Sequence, residues 1–88
     1  MSLKVESVAQ FFEIQKNIHE FYVEKMNRLG YTAKVSVVIY QDKEMRSMAR
    51  VDIDIISPAQ GGRIQNARLF RVPITQEAID NNDWNSEV

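Results

Sequence analysis

The chain has no cysteine, one histidine, three glycines, two prolines and one tryptophan in 88 residues. Each shortage removes a class of explanation. Without cysteine there is neither a disulfide framework nor a thiol nucleophile, and one histidine is a poor start for a structural zinc site. Serine-histidine-aspartate chemistry would have to rely on His19 alone, with no nucleophile elbow in the chain. The glycine patterns that cradle phosphates or dinucleotides are missing, and Gly61-Gly62 reads as turn chemistry. No apolar run approaches the length of a bilayer, and Met1-Ser2-Leu3-Lys4-Val5-Glu6 lacks the basic start and apolar core of a signal peptide. The expectation is a non-enzymatic protein with no cofactor, no metal and no membrane span, cytoplasmic by default.

What is present fits one small folded domain over residues 1–88. At 44% hydrophobic and 26% charged, with a net charge of −1, the chain has too much apolar content for disorder. A domain this short would bury only roughly 60% of its unfolded surface, and with disulfides and zinc set aside, oligomerisation is the common remaining stabiliser. Charge is unevenly spread. Residues 1–30 balance four Lys/Arg against four acids, residues 31–72 hold seven against four, and residues 73–88 hold four acids and no base.

From Leu3 to Leu29 there is no proline or glycine, and apolar residues recur at spacings of three and four through Val5, Val8, Phe11, Phe12, Ile14, Ile18, Phe21, Tyr22, Val23, Met26 and Leu29. This predicts a helix over residues 1–30, with Ser2 as a cap, Glu6 in its first turn and Gly30 as a left-handed stop. Beyond Gly30 the period changes to two. Val35, Val37 and Ile39 alternate with polar or outward positions, and Val51, Ile53 and Ile55 do so after the polar turn Gln41-Asp42-Lys43-Glu44. Ser57-Pro58-Ala59-Gln60-Gly61-Gly62 marks another turn, and Ile64 to Val72 reads as a third strand ended by Pro73. Residues 31–73 thus form an antiparallel meander. Thr75 caps a short helix through Asp80, and Asn81 to Glu87 reads as an acidic tail within the segment 74–88. The predicted fold is α+β in the order α-β-β-β-α, with the long helix across one face of the sheet.

That order is shared with the double-stranded-RNA-binding domain, whose last helix starts with phosphate-gripping lysines. Here the corresponding segment, Thr75-Gln76-Glu77-Ala78-Ile79-Asp80, is acidic and would repel phosphate. The similarity is one of topology only.

The long helix carries more apolar surface than the sheet needs. At 100° per residue its apolar arc spans about 200°, where about 100° suffices to pack on one sheet. A helix of roughly 40 Å also overhangs strands of roughly 27 Å. The surplus predicts a homodimer through a self-complementary contact, or an unidentified protein partner, with Phe11, Phe12, Gln15, His19 and Tyr22 as interface candidates. Gln15 and His19, one turn apart inside the arc, could set register there. A His19 buried against a partner would make association weaken as pH falls through the range in which histidine titrates. The competing expectation is that the segment around Ile79 and Trp84 folds back over the stripe.

Two other constellations carry chemistry. Lys43, Arg46, Arg63, Arg68 and Arg71, beside Gln65, Asn66 and Phe70, form a candidate RNA-binding set, since arginines beside amides and an aromatic hold phosphates and stack on bases. Asp52 and Asp54 point to one side of a strand and could share a divalent cation with Glu44, although the solvent side of an ordinary amphipathic strand looks the same. The reading favoured is a small regulatory or inhibitory protein that acts by macromolecular binding, with RNA binding as the alternative.

Overall fold

Ile14, Ile18, Tyr22 and Met26 recur at every fourth position and all are buried, so a single ridge of the N-terminal helix supplies its share of the core. The computed structural model describes residues 8–57, 61 and 63–85, and for 57 and 63–65 the backbone alone. Within these, α1 spans Val8–Arg28, β1 Thr32–Gln41, β2 Ser47–Ser57, β3 Arg63–Pro73 and α2 Gln76–Asn81. The expected Ser2 cap, Glu6 and most of the turn from Ser57 to Gly62 lie outside the described residues. The α-β-β-β-α order and the three-stranded antiparallel sheet, ordered β1-β2-β3, are as the hydrophobic periods predict.

The connections follow from local chemistry. Gly30, at φ 81°, ends α1 in a Schellman turn, in which the Tyr31 N–H donates to the Met26 carbonyl and the Gly30 N–H to that of Asn27, both at 3.0 Å. In the β1–β2 hairpin Asp42 organises the loop. One carboxylate oxygen accepts from the backbone N–H of Glu44 and of Arg46, both at 2.9 Å, and the other takes the Arg46 guanidinium at 2.8 Å. These bonds, led by the Arg46 N–H, hold the Asp42 carboxyl below its ordinary pKa. They also support Met45 in the left-handed region at φ 64°, a position that usually favours glycine.

Hairpin closure sets the register of the sheet. The Asp42 N–H bonds the Arg46 carbonyl at 3.0 Å, and pairing then runs from Gln41↔Ser47 to Thr32↔Ile56 without a slip. Even-numbered β1 residues therefore bond β2, while the odd-numbered ones turn their backbone groups away from it. On the helix side Val35 and Val37 lie beside Ala49, Val51, Ile53 and Ile55, all buried with the α1 ridge. Opposite β2, β3 contributes Phe70 and Val72 to this side; its register slips between Ile55 and Ile56, leaving Gln65 as an extra residue.

The C-terminal segment corrects the expectation of a tail. Thr75 caps α2 by accepting the Ala78 N–H at 3.0 Å. Asn82, left-handed at φ 48°, then reverses the chain, with its own N–H bonded to the Ile79 carbonyl and the Asp83 N–H to that of Ala78. This reversal drives Trp84 into the core, where it is fully buried with Ile74. Its indole N–H donates to the Asn82 side-chain oxygen at 2.8 Å, so burial leaves that polar atom satisfied.

Candidate functional site

The two halves of α1 meet different surroundings. At the C-terminal half, Tyr22 donates its hydroxyl hydrogen to the Trp84 carbonyl at 2.5 Å and stacks on Phe70 with ring centroids 5.5 Å apart. Phe21 packs edge-on to it at 5.2 Å, and Lys25 lies 5.6 Å from its ring centre. Burial, followed by the negative charge of Asp83, pushes the Tyr22 phenol up to about 12. Tyr22, a candidate for a free interface on its spacing, is wholly inside the core. The fold-back of Trp84 has taken its surface.

The N-terminal half has no such cover among the described residues. Val8 is 73% exposed and Phe12 60%, while Phe11 is half-buried with its ring edge-on to Phe12 at 5.7 Å. Gln15 lies on the side of α1 next to β1 and donates its amide N–H to the Val37 carbonyl at 2.9 Å. His19 is exposed one turn further on. Together Phe12, Gln15, Lys16, His19 and Val37 line a groove of about 270 Å³ between helix and strand. Three of the five interface candidates, Phe12, Gln15 and His19, thus line this groove, Phe11 packs beside Phe12, and Tyr22 does not join them.

Below this groove runs the free edge of the sheet. The Val37 carbonyl faces outward, as the hairpin register requires, and Gln15 satisfies it. β1 is ten residues long, with Lys34 its one charged residue, and it has no proline, glycine or register slip. Edges of that kind are templates for another strand. The opposite edge, β3, carries Arg63, Arg68, Arg71, a terminal Pro73 and the register slip, which are the usual devices that discourage pairing.

The candidate RNA-binding residues do not form one surface. Lys43 and Arg46 sit in the hairpin loop, where Arg46 pairs with Asp42 at 2.8 Å and with Glu44 at 3.3 Å. In β3, Arg68 stands opposite Ile53 on the helix side, whereas Arg71 stands opposite Arg50 on the outer side. The Arg63 side chain lies outside the described residues. Arg50, Tyr40 and Val38, which the spacing did not single out, join Arg71 around an outer-face depression of about 340 Å³. The cross-strand register is the only signal that could have linked them. Asp52 and Asp54 do share this outer face, but Asp52 accepts from Arg50 at 3.3 Å and Asp54 stands opposite Lys34. Glu44 is at the far end of the hairpin from both. Among the described residues no three His, Cys, Asp or Glu side chains cluster as a metal site would need, and no helix is long and apolar enough to cross a membrane.

No family model, curated protein or solved structure matches the chain. Its own geometry carries the functional reading.

Proposed function

We propose that this is a regulatory protein acting by macromolecular binding, and that its working form is a homodimer joined along β1 and the N-terminal half of α1. The observation that carries the reading is the coincidence of an unblunted edge strand with an exposed Phe12 above it. A solvent-facing strand of this composition is a liability unless something pairs with it. Two copies related by a two-fold axis pair the same strand antiparallel with itself, so each edge supplies the donors and acceptors the other needs. The same rotation brings the two α1 N-terminal halves side by side on one face of the joined sheet. Phe12 then buries its ring against the partner helix. Gln15 yields the Val37 carbonyl to the incoming strand and turns its amide to the partner, which gives a polar group at the seam a part in setting register.

Sedimentation equilibrium tests this directly. The wild type is expected at twice the monomer mass of 10.2 kDa, and Phe12→Asp at the monomer mass with a cooperative melt that no longer depends on protein concentration. A wild type that stays monomeric at the highest attainable concentration overturns the reading. So does a dimer indifferent to both Phe12→Asp and Val37→Pro, the second of which removes an edge-facing N–H.

A further inference from the structure

We infer that the outer face of the sheet holds a second binding site, for the phosphodiester backbone of single-stranded RNA, centred on Arg50 and Arg71. The inference is independent of dimerisation, because these residues point away from α1.

Three observations carry it. First, Arg50 and Arg71 are direct cross-strand neighbours. With the even-numbered β2 residues bonded to β1, their pair is of the non-hydrogen-bonded kind, whose side chains approach most closely, roughly 4.5–5.5 Å between Cβ atoms. Like charges placed that way repel each other. Second, the local charge does not balance. Asp52 engages Arg50 at 3.2 Å, while Arg71 has no ion-pair partner among the described residues. Of two neighbouring guanidiniums only one has a carboxylate, and the pair is one negative charge short. A phosphodiester supplies that single charge, with oxygens that the planar guanidinium forks can hold. Third, the guanidiniums border an aromatic and apolar floor. Val38 pairs with Arg50 in the adjoining strand and is 53% exposed, Leu69 on β3 is 45% exposed, and Tyr40 is one diagonal step from Arg50. No aromatic partner or cation occupies the Tyr40 ring among the described residues, which leaves a face on which a base can stack. The depression is lined from all three strands, so it suits an unpaired strand laid across the sheet with bases splayed, the mode by which sheet surfaces read RNA.

An acidic peptide would satisfy the arginines but would not use the ring, and this difference sets the test. Fluorescence anisotropy of labelled oligouridine should show binding that weakens steeply with salt. Arg71→Glu should reduce affinity at least tenfold, and the slope of log affinity against log salt should shallow by about 0.7 for each phosphate no longer neutralised. Tyr40→Ala should cost several-fold with little change in slope, because stacking is not an ionic interaction. Arg28→Glu, at the exposed end of α1, should leave binding unchanged. Phe12→Asp should bind as the wild type does, which separates this site from the dimer. The inference is overturned if oligouridine is not bound at low salt. It is also overturned if Arg71→Glu and Arg28→Glu weaken binding equally, or if polyglutamate displaces the RNA at equal charge concentration and Tyr40→Ala has no effect. All these side chains are at least partly exposed, and thermal melts of each variant verify that the fold is retained.

Discussion

Both halves of α1 send apolar residues into the core, Ile14 and Ile18 as well as Tyr22 and Met26, yet only the N-terminal half also leaves large apolar side chains exposed. Tyr22 and Met26 are buried under the returning C-terminal segment and the sheet, whereas Val8 and Phe12, roughly three to four turns before Tyr22, face outward. Val8 and Met26, about five turns apart, lie at the same angle round the helix, so angle alone does not decide which is buried. What differs is the cover, and the cover of the C-terminal half comes from Trp84, 62 residues after Tyr22 in the chain. A surplus of apolar arc thus gives the amount of surface a helix has to bury, and later elements decide how much is left for a partner. Here Val8 and Phe12 are left, on the half of α1 whose Gln15 reaches the free edge of the sheet.

The contrast can be broken most forcefully at Trp84. Trp84→Ala empties a fully buried site, removes the indole bond to Asn82 and loosens the segment that seals Tyr22. The expected loss is about 3–5 kcal/mol, a large fraction of the stability of a small domain. Phe12→Ala, a comparable truncation on the open half, should cost no more than about 0.5 kcal/mol in the monomer. Urea denaturation of both variants in the Val37→Pro, monomeric background measures the difference. Equal losses would mean that the halves are not distinct and that Phe12 is core.

Next in size is the buried phenol. Tyr22 is an acid whose pKa is raised on folding to about 12, so between its ordinary value of 10.0 and about 12 the folded chain holds a proton that the unfolded chain has released. Stability is fully present below pH 10 and falls as pH rises through that window, by on the order of 2–3 kcal/mol for a two-unit shift. Tyr22→Phe should lose about 1–2 kcal/mol at neutral pH, since the buried Trp84 carbonyl loses its donor, but should largely remove the alkaline decline. Thermal melts from pH 8 to 12 on the two proteins decide it. A wild type and variant with parallel pH profiles would show that the phenol is solvated and the seal open.

Much of the architecture was legible because the residues that make it act locally. An unbroken run without glycine or proline gives α1, alternation gives the strands, and Gly30 and Asp42 turn the chain where their conformational preferences say they should. The interaction surfaces were only partly legible. Phe12 and Gln15 stood out by spacing, but Tyr22 shares that spacing and is core, because the distinction rests on packing against a segment 62 positions away in sequence. The arginines were grouped by proximity along β3, and alternation then placed Arg68 and Arg71 on opposite faces. Arg50, on the same side of its strand as Asp52 and Asp54, and Tyr40 were not grouped with Arg71, because their meeting with it depends on the register of two hairpins. Trp84 within a polar stretch after a Thr-capped turn was a signal for the fold-back, and Asn82 is the residue that makes it possible.

The smallest perturbation addresses that fold-back at its origin. Thr75 accepts the Ala78 N–H and so defines the first turn of a six-residue helix, too short to persist without its cap and its packing. Thr75→Ala should cost about 1 kcal/mol, because an unpaired N–H replaces a capped one while the core packing of Ile74 and Trp84 remains. Its effect should be localised. Amide exchange should accelerate from Ala78 to Asn85 and stay unchanged in β1 and β2, since a local opening of the seal leaves the sheet intact. If exchange accelerates uniformly, the seal opens only with global unfolding, and the C-terminal half of α1 is then covered as permanently as the sheet itself.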